Sequence, residues 1–137
     1  MKRQSQTENQ LEIKLGKKLR QKGLQVFTQV RLCSKRVDLV YIEKRKSVNS
    51  VELKLTNWKE AVRQAYLNKY NFHKSYVAIY ANNSRRLKPH FHIFRKLGIG
   101  LLFIDREGNS TEVIGAKYNY SPNSIFLNDF RNKYKTK

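Results

Sequence analysis

The sequence predicts a mixed α/β (α+β) domain, a central mixed sheet flanked by helices, whose first elements run in the order αβββαβ. Three patterns predict it. Leu11, Leu15 and Leu19 recur at the spacing of one helical face. Segments rich in β-branched and aromatic residues follow, separated by short polar turns. An amphipathic run from Trp58 then leads into the apolar stretch Ser75 to Tyr80, the pattern of a crossover between parallel strands covered on both faces.

Each element has its own signal. Thr7 to Lys22 predicts the first helix, with Thr7 or Ser5 as N-cap and Gly23 as the stop; Gly16 weakens its interior. Gln25 to Leu32 reads as a strand, and Cys33-Ser34-Lys35 as a turn into a second strand, Arg36 to Ile42. Glu43 to Ser50 predicts a polar loop carrying Lys44, Arg45 and Lys46 in succession, a solvated turn or a phosphate contact. In the third strand Val51, Leu53 and Leu55 alternate with Glu52 and Lys54, and the three strands together predict an antiparallel run. Thr56 or Asn57 caps a helix from Trp58 to about Asn71, with Trp58, Ala61, Val62 and Ala65 as its apolar stripe. Beyond Tyr80 comes a basic segment, Arg85 to Leu97, interrupted by Pro89 and helical after it. A strand at Ile99 to Ile104 then turns through Arg106-Glu107-Gly108-Asn109 into an edge strand, Thr111 to Ile114. The tail from Lys117 to Lys137 carries Tyr118, Tyr120, Phe126, Phe130 and Tyr134, which predict packing onto the sheet, with base stacking or a dimer interface as alternatives; a last short helix starts between Ser121 and Ser124.

The 137 residues predict one domain over 1–137, with its core at about 7–80 and a C-terminal extension of the sheet and tail at about 81–137. With 29 Lys and Arg against 10 Asp and Glu, the chain carries +19, a self-repelling surface that a polyanion would neutralise. Nucleic acid is the first candidate and an acidic membrane surface the second. No apolar stretch approaches the roughly 20 residues of a spanning helix, and Lys2 to Gln10 is polar throughout, unlike a signal peptide. The expectation is a soluble, intracellular (cytoplasmic) protein without a membrane partner. The single cysteine, Cys33, excludes an internal disulfide and a cysteine-cluster zinc site.

Chemistry concentrates in the hairpin from Arg36 to Leu55. Asp38 interrupts the apolar run Val37, Leu39, Val40, Tyr41, Ile42, where an unpaired buried carboxylate costs several kcal/mol or more. The pleat puts Glu52 and Lys54 on one face and the three apolar residues on the other. A turn centred near Lys46 would set Asp38 across from Lys54 and one step from Glu52, so two acids and a lysine meet on one patch. Glu8 and Glu12, one turn apart beside the leucine stripe, could each reach the core edge or simply compensate the helix dipole. Gln64 lies beside Ala61 and Ala65, where its side chain could reach back over the sheet.

This order of elements, with an acid in the second strand, Glu-x-Lys in the third and a glutamine in the next helix, resembles the PD-(D/E)XK nuclease superfamily over roughly residues 7 to 80. Asp38 matches the first motif acid, Glu52 and Lys54 the second motif, Gln64 the helix glutamine, and Glu8 or Glu12 the first-helix acid. Val37 stands where the family name has proline. The run Val-Glu-Leu-Lys-Leu-Thr-Asn-Trp-Lys, with Gln-Ala after it, looks like that of restriction- or repair-associated members. The resemblance implies a restriction-endonuclease-like core and a Mg²⁺-dependent endonuclease in DNA repair, recombination or restriction, leaving 5′-phosphate and 3′-hydroxyl ends. Asp38, Glu52 and the Leu53 carbonyl would hold Mg²⁺, with Mn²⁺ as a substitute and Glu8 or Glu12 as a further ligand. Lys54 would orient the attacking water or neutralise charge developing at phosphorus, and Gln64 would bond Lys54 or the phosphate. Arg36, Lys44, Arg45, Lys46, Lys59 and Arg63 are the candidate contacts to double-stranded or branched DNA, and cutting both strands with one site per chain favours a two-fold homodimer. A non-catalytic nucleic-acid-binding protein on the same fold is the alternative.

Other signals are weaker. His90-x-His92, with His73, invites a metal reading, but residues two apart on a helix point in different directions. Gly98-Ile99-Gly100 lacks the later glycine of a dinucleotide fingerprint and reads as a helix stop. Cys33 reads as a bystander.

Overall fold

Thr7 caps the first helix. Its hydroxyl accepts from the Gln10 N–H at 3.1 Å, and the Gln10 side chain accepts from the Thr7 N–H at 2.9 Å, a reciprocal capping box for α1 (Glu8–Gln21). The computed structural model describes residues 7–44 and 46–136; Ser5, the other candidate cap, and Arg45 lie outside them. Leu11, Leu15 and Leu19 are buried as their spacing predicts, and Gly16 is buried with them. A Cβ at Gly16 would sit 3.5 Å from Val26 and 3.9 Å from Leu39, so the helix lies close on the strands beneath it.

The strands are β1 (Gln25–Leu32), β2 (Lys35–Ile42), β3 (Val48–Lys54), β4 (Lys74–Tyr80), β5 (Gly100–Ile104) and β6 (Ser110–Ile114). They form one mixed sheet in chain order. The first three strands are antiparallel, β4 and β5 join in parallel, and β6 closes the far edge antiparallel. The parallel joins need crossovers, which are α2 (Trp58–Asn68), capped by Asn57, and α3 (Phe91–Leu97), preceded by 3₁₀ turns through the basic segment. Gly98 ends α3 at φ 74°, the left-handed cap expected of a glycine stop.

Two boundaries differ from expectation by more than one residue. The polar loop is shorter than 43–50, because Val48, Asn49 and Ser50 are buried in β3 and pair with β2, and Asn49 and Ser50 pair with β4 as well. Their polar side chains are satisfied, Ser50 by Ser75 and Asn49 by Glu43, and so join the sheet at no hydrogen-bonding loss. The second helix ends at Asn68 rather than near Asn71.

α1 covers one face of the sheet over a core of Leu39, Tyr41, Val51, Leu53, Tyr76 and Ala78. α2 and α3 cover the other face over Val77, Ile79, Leu101 and Ile114. The last helix, α4 (Ser124–Tyr134), is longer than predicted and packs Phe126, Leu127 and Phe130 over Val30, Val37, Val40 and Ile42 on that second face. Phe27 and Phe130 meet edge to face with centroids 5.4 Å apart. Among the described residues no helix is long and apolar enough to cross a membrane.

Candidate active site

The β1–β2 ladder breaks at one place. Thr28 pairs with Leu39 and Val30 with Val37, but Gln29 and Asp38 between them are unpaired, and Gln29 has φ 49°. Val37 and Val40 consequently share one core while Leu39 and Tyr41 share the opposite one, so the strand changes face at Asp38. The register is the same on both sides of the break, with one unpaired residue on each strand, and at this point the Asp38 carboxylate turns toward β3.

The register of β2 and β3 corrects the sequence expectation. Leu39 pairs with Val51, Val40 with Ser50 and Ile42 with Val48, so the hairpin is centred one position before Lys46. Continued one step, that register sets Asp38 opposite Glu52 rather than opposite Lys54. The Asp38 N–H points at Glu52 Oε2 at 3.4 Å, and the Leu53 N–H donates to Asp38 Oδ2 at 2.9 Å. Because the N–H and C=O of a strand residue point the same way, the Leu53 carbonyl is turned to the β2 side as well.

Glu52 is buried at 2% exposure and Asp38 at 9%. Burial first, and the Asp38 charge second, raise the Glu52 carboxyl well above the usual carboxylate range. Asn68 of α2 donates to Glu52 Oε2 at 3.1 Å and partly offsets this. Glu12, on the buried side of α1, is pushed up to about 7, again by burial and then by Asp38. Gln29 donates to Glu12 Oε1 at 2.7 Å and accepts from Arg36 at 2.9 Å, and Arg36 Nη2 lies 3.8 Å from Asp38 Oδ1.

Glu8 takes a different place from Glu12. Its carboxylate accepts from the Leu55 N–H at 3.3 Å and lies 4.0 Å from Lys54 Nζ, at the end of β3. Glu8, Glu12, Gln29, Arg36, Asp38, Leu53 and Lys54 line one cleft of about 590 Å³. The structure therefore gathers both first-helix acids around it, Glu12 toward Asp38 and Glu8 toward Lys54.

Gln64 makes no such contact. Its Oε1 is buried with no hydrogen-bond partner among the described residues. Asn68, one turn further along α2, makes the bond to an acid instead. Neither Asn68 nor Gln29 was singled out in the sequence; the signal for Asn68 was a small polar residue on the helix face that carries Ala61 and Ala65.

Of the candidate phosphate contacts, Arg36 lines the cleft, Lys44 and Lys46 are exposed in the turn at the far end of β2, and Arg45 lies outside the described residues. Lys59 is exposed with its ammonium 5.8 Å from the Trp58 ring centroid. Arg63 is held by Glu60 through two bonds of 3.0 and 2.6 Å, so its charge is largely committed. Arg85, Arg86 and Lys88 are exposed, in the segment whose Asn83 donates to the Leu55 carbonyl just past β3. His90 stacks on Trp58 with centroids 4.7 Å apart, and His73 accepts from the Val48 N–H, so the three histidines do not converge.

Among the described residues no three His, Cys, Asp or Glu side chains form a ready-made metal cage. A hard divalent cation that keeps several waters asks for less: two carboxylates and a carbonyl suffice beside a phosphate oxygen. Asp38, Glu52 and the Leu53 carbonyl are such a donor set, and a cation there would offset both the burial and the Asp38 repulsion that raise Glu52.

These elements define a mixed α/β chain, a six-stranded mixed sheet flanked by helices. No protein-family description and no curated protein matches the sequence. Among solved structures it is similar to a protein of unknown function from Silicibacter pomeroyi, 18% identical, over 97% of this chain and 89% of that chain, with a TM-score of 0.68; the two share a fold. Pyrococcus furiosus SfsA in complex with Ca²⁺ aligns at 11% identity over 80% of this chain and 61% of that chain, with a TM-score of 0.40.

Proposed function

We propose that the chain is a Mg²⁺-dependent endonuclease that hydrolyses phosphodiester bonds in DNA. The observation that carries this reading is the facing of Asp38 and Glu52 at the break in the ladder, with Asp38 and Lys54 lining one cleft and Glu52 buried behind it. Two buried carboxyls are costly to ionise together, and a phosphate-bound cation would make their ionised forms compatible. Mg²⁺ bound there would polarise the phosphodiester and lower the pKa of a water. Mn²⁺ suits the same oxygen ligands.

The chain's own residues supply the rest. Lys54, the last residue of β3, is placed to meet charge on the phosphate, and Glu8 holds it at the cleft mouth. Glu12 lies beside Asp38 with a proton affinity near neutrality, suited to exchanging a proton or joining the ligand set. Gln29 ties Glu12 to Arg36, which can release Asp38 and turn to a phosphate. The net charge of +19 attracts the polyanion, and a two-fold dimer would allow both strands to be cut.

Incubation with plasmid, linear and branched DNA in Mg²⁺ or Mn²⁺ tests this. EDTA-sensitive cleavage that disappears in Asp38→Ala and Glu52→Ala is expected; no cleavage of any substrate, or cleavage indifferent to both variants, overturns it. One observation favours a second reading, a non-catalytic nucleic-acid-binding protein: Glu52 is almost wholly buried and already bonded by Asn68. On that reading Asp38→Ala and Glu52→Ala bind DNA as wild type does, and Mg²⁺ leaves the melting temperature unchanged.

A further inference from the structure

At the other end of β2 from the acids lies a larger pocket, of about 760 Å³, lined by Leu24, Glu43, Lys44, Lys74, Tyr118 and Tyr120 among others. Glu43 lies roughly 16 Å along the chain from Asp38 at the rise of a strand, so the pocket is separate from the cleft. The tail aromatics divide here. Phe126 and Phe130 are buried under α4, whereas Tyr120 is 87% exposed and Tyr118 half-buried.

The exposed rings are held in place without entering the core. Lys117 N–H donates to the Gly98 carbonyl at 3.0 Å, Asn119 N–H to the His73 carbonyl at 2.7 Å, and the Asn119 side chain to the Lys69 carbonyl at 2.8 Å. On this anchored segment Tyr118 lies between His73 and Tyr120, with centroids 5.5 and 4.7 Å apart and ring planes tilted by 33° and 58°. Leu24 supplies an apolar part of the pocket wall. Glu43 is neutralised where it stands, accepting from Lys74 at 3.1 Å, Asn49 at 2.8 Å and Ser47 at 2.9 Å, which holds its carboxyl below the usual range. Lys44 remains exposed at the rim.

An exposed tyrosine face beside a second tyrosine, with a lysine at the rim, on a chain of charge +19, is complementary to a planar ring attached to a phosphate. We propose that this pocket holds an unpaired base of single-stranded DNA, stacked on Tyr120 beside Tyr118, with its backbone near Lys44. A strand is favoured over a free nucleotide because the pocket has an exposed lysine at its rim and, among the described residues that line it, no glycine-rich loop to cradle a terminal phosphate.

The proposal needs nucleic acid as the partner but not cleavage, and binding measured in EDTA separates the two. By fluorescence anisotropy, wild type is expected to bind a labelled single strand about tenfold more tightly than an abasic strand of the same length. Tyr120→Ala should erase that difference and leave duplex affinity unchanged, while Tyr120→Phe should keep it. Equal affinity for the base-bearing and abasic strands, or a Tyr120→Ala chain that still tells them apart, overturns the proposal. The fold should not intervene, since Tyr120 is 87% exposed. A chain that prefers bases yet cuts no DNA overturns the endonuclease reading alone.

Discussion

Asn68 donates to Glu52 at 3.1 Å, so the crossover helix orients one of the two acids of the hairpin. Asn68→Ala removes that donor from a carboxyl that is 2% exposed. The expected loss is about 1–3 kcal/mol of unfolding free energy in urea. Asn68→Asp should cost more at about pH 8 than at about pH 5, because it sets another carboxylate beside Glu52.

Glu12 and Glu52 give the fold a pH dependence of definite sign. Both carboxyls are raised above the ordinary value of about 4.5, Glu12 to about 7. The folded chain therefore holds these protons more tightly than the unfolded one. Their contribution to stability is fully present below about pH 4.5 and is lost as pH rises through about 7. Without divalent ions the melting temperature should fall between about pH 5 and pH 8, and Glu12→Gln should flatten that fall. Mg²⁺ should raise the melting temperature more at about pH 8 than at about pH 6, since only the deprotonated acids bind it.

Asp38→Asn should move stability and activity in opposite directions. It removes the charge that raises both Glu12 and Glu52 while keeping an oxygen for the Leu53 N–H. A gain on the order of 1 kcal/mol is expected at about pH 8 in the absence of metal. The same variant should abolish Mg²⁺-dependent cleavage, scored on plasmid DNA.

Two glycines should respond differently to a methyl group. A Cβ at Gly100 would lie 2.3 Å from the Tyr76 ring and 2.9 Å from the Ala116 nitrogen, both in packed surroundings. Gly100→Ala should therefore cost about 1–3 kcal/mol. At Gly16 the nearest atom is an ordinary 3.5 Å away, and alanine favours the helix by about 1 kcal/mol. Gly16→Ala should be neutral or stabilising, as thermal denaturation of the two variants would show.

Much of the fold was legible because its signals are local. The leucine stripe of α1, the alternation around Glu52 and the glycine stop at Gly98 depend on residues within a turn or two of each other. The presence of β-type residues before and after an amphipathic run was enough to expect the parallel join of β3 and β4. Val48 to Ser50 was misread as loop because two of its three residues are polar, and their partners, Glu43 and Ser75, come from other segments.

The candidate site divides in the same way. By itself the sequence determined that Asp38 interrupts an apolar strand, that Glu52 and Lys54 share a face of the next, and that the chain carries a charge suited to a polyanion. Tertiary structure decided that Asp38 stands opposite Glu52, that Glu12 faces Asp38 while Glu8 takes Lys54, and that Asn68 rather than Gln64 bonds an acid. The reason is one of range: the pleat assigns a side chain to a face within its own strand, whereas register, the break at Gln29 and the reach of a helix side chain depend on how the strands twist and how α1 and α2 pack upon them.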